Sequence, residues 1–222
     1  MKLRVPESLT ERACKLIRSS ILDGKLDGSQ RLTEEFFARR FGISKSPIRE
    51  AFNRLESEGL IKIQPRRGAY IVEMTRRDVE EIYELRELLE PAVVRHIDLD
   101  KKTAKRLEAS VSGAEKYLRK NDKANYIRED ALFHIILAQA NSNARLRNAL
   151  QAMQHQMIIL RHRTFQLSSH QAVPQHRAIL EALKAGSREK AAKLMTEHIQ
   201  MIRARLLSDM DEKTRTGSVA AN

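Results

Sequence analysis

Four side chains in the C-terminal half of the sequence are of the types that hold a divalent metal: Asp130, His134, His176 and His198. Asp130 and His134 lie four residues apart in Glu129-Asp130-Ala131-Leu132-Phe133-His134-Ile135-Ile136-Leu137, which puts both on one face of a helix. That helix is apolar nearly all round from Ala131 to Ala140 and is expected to be buried. A carboxylate and an imidazole placed there need partners, because an unpaired buried charge is costly. His176 falls on the stripe of Ile179, Leu180 and Leu183, and His198 shares a face with Ala191, Leu194, Met201 and Ile202. Three inward histidines and an aspartate on three helices suit Zn, Ni, Mn or Fe. Taken singly, an inward histidine is more often a hydrogen-bonded core residue than a ligand, and Asp130 reads also as a partner for Arg128 or His134. Such a metal with an open position could activate water, but no Glu or Ser stands beside it in an acid–base role, so a metal-dependent hydrolase is the remote alternative. His96, His155 and His162 are not assigned as ligands; His170 is the one substitute.

A cation accompanies this set. Arg86, in Tyr83-Glu84-Leu85-Arg86-Glu87-Leu88-Leu89-Glu90-Pro91, lies between Ile82, Leu89 and Val93 on its helix. It snorkels to solvent, pairs with Glu90, or offers its fork to a carboxylate ligand. Asn141, beyond His134 on the same segment, is expected to line the same cavity.

A second constellation runs from Phe41 to Val72. Pro47 fits the first turn of a helix that Ser44 or Ser46 can cap, and Ile48, Ala51, Phe52 and Leu55 form its apolar stripe. Lys45, Arg49 and Asn53 fall on another face. Gly59 stops the helix; Leu60, Ile61 and Ile63, then Tyr70, Ile71 and Val72, supply two short strands joined at Gln64-Pro65-Arg66-Arg67-Gly68. This suits a winged helix-turn-helix, with the helix in a DNA major groove and the wing tip near phosphates. Such basic faces are also common as merely solvated surface.

The surrounding elements follow from periodicity and caps. A helix over 10–22 carries Leu16, Ile17 and Ile21 on one face and ends at Gly24; a short helix from Thr33 to Phe41 is closed by Gly42. Arg31, with Arg39 or Arg40, stands at the edge of this unit, within reach of phosphate. Thr75 with Asp78 makes a capping-box start and a boundary near residue 75. Beyond it only helices are expected, about 78–97, 101–120, 123–141, 143–166, 174–185 and 187–210. The fold class is therefore mainly α: a winged helix-turn-helix over 1–74, an all-helical bundle of about six helices over 75–210, and a polar, disordered tail over 211–222.

Composition narrows the partners. A chain of 222 residues with a formal charge of +12 favours an anionic partner, nucleic acid foremost. From Arg39 to Arg67 eight basic residues face three acidic ones, yet the remaining sequence is basic too, so charge alone does not locate the site. The single cysteine, Cys14, excludes a disulfide framework and fits a reducing compartment. No run approaches the ~20 apolar residues of a membrane span and no signal-peptide core opens the chain, so no membrane is involved and a cytoplasmic location is expected.

The run Arg31-Leu32-Thr33-Glu34, Phe37 to Ala51, Glu58-Gly59-Leu60-Ile61 and Pro65-Arg66-Arg67-Gly68 resembles the DNA-binding domain of GntR-family transcription regulators over about seventy residues. The Asp-x-x-x-His helix, then His176-Arg177-Ala178-Ile179-Leu180-Glu181-Ala182-Leu183, then Met195-x-x-His198-Ile199, is similar to the FCD effector domain of the FadR-type branch. The resemblance implies a ligand-responsive regulator, a repressor by expectation, acting as a homodimer on a palindromic operator in double-stranded DNA. It implies DNA contacts from Arg31, Lys45, Ser46, Arg49, Asn53, Arg66, Arg67 and Gly68. It also implies a metal on Asp130, His134, His176 and His198, and a small organic acid met by Arg86 and Asn141. The alternative is a bundle that serves only for dimerisation, with a structural metal or none. Two departures stand out: Lys45 replaces a common arginine, and Glu35 occupies a position that is basic in the best-known relatives.

Overall fold

The computed structural model describes residues 7–26, 31–65 and 67–219. Among them the chain forms nine helices and a two-stranded sheet, in two compact units, Met1–Glu73 and Met74–Asn222. The expected Asp27-Gly28 link and the wing-tip Arg66 lie outside the described residues.

The first unit packs α1 (Leu9–Leu22), α2 (Glu34–Phe41) and α3 (Lys45–Ser57) around one core. Local chemistry sets each end. Ser8 and Glu11 form a reciprocal capping box on α1, Thr33 caps α2, and Gly42 closes α2 in the left-handed region at φ 67°. Ser44 is the N-cap of α3, although its hydroxyl makes no capping bond. Ile17, Phe37, Ile48 and Leu55 are at most 2% exposed, and burial of each contributes ~1.5–3 kcal/mol. Phe37 meets Phe52 edge-on at 5.8 Å. Cys14 is buried, as expected of a small apolar residue, and its Sγ accepts from Arg18 Nη2 at 3.1 Å. Leu16 departs from the expected face: it is 51% exposed, while Ile17 and Ile21 turn inward.

The hairpin pairs β1 (Ile61–Gln64) with β2 (Gly68–Ile71), Ile61 opposite Ile71 and Gln64 opposite Gly68. Leu32 adds a third rung, exchanging bonds of 2.8 and 2.9 Å with Ala69. This explains Gly68. At φ +93° a Cβ there would lie 2.9 Å from the Leu32 carbonyl and 3.0 Å from Arg31 Nε. The close approach that glycine permits is to the chain itself, before any outside partner.

The second unit is six helices: α4 (Arg76–Arg95), α5 (Lys101–Arg119), α6 (Lys123–Gln139), α7 (Ala144–Ala152), α8 (Gln154–Lys184) and α9 (Arg188–Val219). Thr75 and Asp78 form the expected capping box on α4. Helix α9 packs along α4 and α8, and α5 along α6. Helix α6 buries residues all round, from Tyr126 to Ala138.

Two expectations are corrected. The break expected between 166 and 174 is absent: α8 runs through Pro174, and the break falls at Met153 instead. Ser168 and Ser169, which read as loop, are buried, and Ser168 Oγ donates to the Thr164 carbonyl at 3.0 Å. The polar tail is likewise helical as far as Val219, where Arg76 Nη1 donates to Asp211 Oδ1 at 2.5 Å. No described helix is long and apolar enough to cross a membrane.

Candidate functional site

Helices α6, α8 and α9 bring His134, His176 and His198 together in the bundle interior. One ring nitrogen from each lies within 4.8 Å of the others, and all three residues are at most 5% exposed. His176 Nε2 is 3.1 Å from His198 Nε2, and the His176 ring stacks on Phe133 at 4.3 Å. Outer partners orient two of the rings. His134 Nδ1 donates to Glu90 Oε2 at 2.5 Å, and His198 Nδ1 to Gln175 Oε1 at 3.0 Å. With those protons engaged, both rings present an Nε2 lone pair, the arrangement that metal-binding imidazoles use.

Asp130 stands beside the trio rather than within it. Its Oδ2 accepts from Arg161 Nε at 2.6 Å, while Oδ1 is 3.5 Å from the Tyr126 hydroxyl and 3.8 Å from His176 Nδ1. Arg86 does not snorkel. It is 2% exposed, donates to Glu90 Oε1 at 2.6 Å and lies 5.0 Å above the Tyr83 ring. Arg86 and Arg161 both line a cavity with Asp130, His134 and His198. Its volume is about 20 Å³, room for about one water.

Charge is tightly balanced here. Burial pushes all three imidazoles below their ordinary value, His176 to about 3 and His198 well below it, so they are neutral. Burial alone would raise the Asp130 carboxyl, but Arg161, with His176 and His134, outweighs it and holds the group at about 2. Glu90 is likewise buried, and Arg86 and His134 hold it well below the usual carboxylate range. The donor set of three neutral imidazoles, two of them oriented by outer partners, with an adjacent carboxylate fits a divalent transition metal.

Asn141 is not part of this cavity. Its Nδ2 donates to the Val93 carbonyl at 3.3 Å and its Oδ1 accepts from Asn143 N at 2.9 Å, so it ties the end of α4 to the α6–α7 link. His170 is exposed and away from the trio. Sequence reasoning missed Arg161, Gln175 and Ser168. Met157, Arg161, Thr164 and Ser168 recur at helical spacing and are all buried, a stripe obscured by the break expected near residue 166.

In the first unit Lys45, Ser46, Arg49 and Asn53 are exposed on α3, and Arg31 and Arg67 are exposed at the wing. Of these cations, the two on α3 are paired. Arg49 donates through Nε and Nη2 to Glu34 at 2.8 and 2.9 Å. Glu35 accepts from Arg39 Nη2 at 3.0 Å and lies 3.7 Å from Lys45 Nζ. The acidic first turn of α2 therefore faces the basic first turns of α3.

Comparison with known proteins matches both units. Residues 9–71 match the profile of bacterial regulatory proteins, gntR family, and residues 81–201 that of the FCD domain. The HTH-type transcriptional regulator YdhC of Bacillus subtilis (strain 168) is 30% identical over 188 residues, covering 82% of this chain and 84% of that protein. The HTH-type transcriptional repressor RspR of Escherichia coli (strain K12) is 23% identical over 205 residues, 90% of each chain. The crystal structure of a GntR transcriptional regulator from Rhodococcus sp. RHA1 shares the fold with a TM-score of 0.81 at 24% identity, covering 90% of this chain and 97% of that one.

Proposed function

The chain belongs to the GntR family of bacterial regulatory proteins and carries an FCD domain, which makes it a DNA-binding transcription regulator rather than an enzyme, and we propose that it is a repressor whose bundle senses a small organic acid at a bound metal. The observation that carries the sensing half is the meeting of His134, His176 and His198 in the bundle interior, beside a buried cavity that His134 and His198 line with Asp130 and Arg86. A divalent ion held there would supply a positive centre for a carboxylate; Zn, Ni, Mn and Fe all suit the donors. Arg86 offers the second point of attachment.

The DNA half rests on the exposed face of α3. Arg49 and Lys45 would meet base edges or phosphates in the major groove, with Ser46 and Asn53 alongside. Arg31, Arg67 and Gly68 would flank phosphates at the wing, and Arg66 belongs with them by its place in the sequence. A homodimer would read two half-sites of a palindrome. The E. coli relative named a repressor supports the direction of control. Because the cavity has room for about one water, an organic acid must widen it. Only the difference in its affinity for the closed and widened forms can shift DNA binding.

The test is an operator gel shift on metal-loaded protein, titrated with small organic acids, beside His176→Ala. Release of DNA by an acid, lost in the variant, is the expected result. Release that survives removal of the metal would leave the bundle as a dimerisation module with an unrelated ligand site.

A further inference from the structure

One polar group in the cavity has no use in the closed structure. Arg161 Nη1 is buried without a hydrogen-bond partner among the described residues, although the side chain is only 8% exposed and lines the cavity. A guanidinium N–H left unpaired by protein groups in such a place is costly, so a water in the closed form or a ligand in the widened one must complete it. Its Nε is already spent on Asp130 at 2.6 Å, so the fork points past that carboxylate.

Charge counting narrows what completes it. Around the cavity, Arg86 is paired with Glu90 and Arg161 with Asp130, and an imidazole that ligates a metal does so in its neutral form. The closed site is therefore electrically even. A divalent ion on the imidazoles would add two positive charges in surroundings where an uncompensated charge is expensive. A monoanion would cancel half of that excess. We propose, building on the sensing reading above, that Arg161 is a second anion anchor and that the cavity selects a small dianion, a dicarboxylate over a monocarboxylate of the same length. One carboxylate would face the imidazole side and the other the Arg161 fork.

The experiment is calorimetric titration of the full-length protein, loaded with Ni²⁺ and dialysed free of excess ion. The probes are malonate against propionate, succinate against butyrate, and inorganic phosphate. At least one dicarboxylate is expected to bind at least about tenfold tighter than its monocarboxylate partner, the scale of a hydrogen bond to a charged group. Arg161→Gln should erase that preference while leaving monocarboxylate affinity within about threefold and nickel content unchanged; Arg161→Lys should keep part of it. Phosphate binding at dicarboxylate strength would uphold the dianion and assign its source to inorganic anions.

Equal affinity for both members of each pair in the wild type overturns the proposal while leaving the sensing reading intact. So does an Arg161→Gln protein that loses nickel, or that weakens both classes equally, because Arg161 then serves only to hold Asp130. Failure of every acid to bind defeats the sensing reading itself. If Arg161→Gln does not fold, the wild-type ratio and Arg161→Lys still decide.

Discussion

Glu34 grips Arg49 with both carboxylate oxygens, from the first turn of α2 to the exposed face of α3, at 2.8 and 2.9 Å. The bond holds the Arg49 charge, and the Arg49 hydrogen bond holds the Glu34 carboxyl below its usual range. A guanidinium fixed this way is pre-oriented but partly neutralised, so contact with DNA must share or break the pair. Glu34→Gln is expected to raise affinity for unrelated duplex, steepen its salt dependence by about one phosphate equivalent, and lower the ratio of operator to unrelated binding. Fluorescence anisotropy with both duplexes across a salt series measures all three. An unchanged ratio would show that Glu34 has no part in aiming Arg49.

The acceptor for His198 offers a gentler probe of the proposed metal site than the three imidazoles themselves. Gln175 is only partly buried, so Gln175→Ala should leave the melting temperature nearly unaltered. Freed from Gln175 Oε1, the His198 ring can turn or change tautomer, and metal affinity is expected to fall by ~10–100-fold. Competition against a chelator reads this directly. Affinity equal to wild type would mean that the ring is held by packing alone.

Acid should loosen the metal-stripped bundle well before carboxylates titrate. Burial lowers His176 to about 3 against the pull of Asp130 and depresses His134 against the pull of Glu90; His198 is depressed by burial and then by its neighbours His176 and His134. As pH falls through the unfolded value of ~6.5, the unfolded chain takes up protons that the folded one refuses. Stability is thus complete above that value and declines towards about 3, by up to ~1.4 kcal/mol per pH unit for each imidazole. Asp130, held at about 2, adds a further loss below ~4. Thermal melts of stripped protein at neutral and mildly acidic pH should show a clear drop. Equal melting temperatures would contradict neutral burial of the trio.

Gly68→Ala tests the wing without removing a charge, although the added methyl also presses on the Arg31 side chain. Its φ of +93° and the 2.9 Å approach to the Leu32 carbonyl leave no place for a methyl group. The substitution should cost ~1–3 kcal/mol and loosen the Leu32–Ala69 rungs, visible as faster amide exchange at those residues. Protection equal to wild type would show that the wing adapts.

The legible parts of this molecule are those written in local spacing. Thr33, Gly42, Thr75 and Asp78 announce their helix ends through capping chemistry that needs only near neighbours. His134, His176 and His198 announce their inward faces through the stripe each shares. What periodicity cannot supply is who meets whom across helices. Asp130 and Arg161 are thirty-one residues apart, and Gln175 meets His198 from another helix. Ser168-Ser169-His170-Gln171 before Pro174 reads as a loop because polar residues and proline usually end helices. In the fold both serines are buried and Ser168 lines the polar cavity, so burial keeps the helix going. Asn141 misled for the opposite reason: its helical phase pointed inward, but it sits past the end of α6, where an amide ties backbone instead.

The last helix carries a practical consequence. Asp211, which closes on Arg76 at 2.5 Å, lies just beyond the point where the polar composition invites trimming. A shortened chain ending at residue 210 would cut through a continuous turn and leave the opening arginine of the helical bundle without that carboxylate. Crystallisation or binding work on the bundle is therefore best begun from a version that keeps the residues up to Val219.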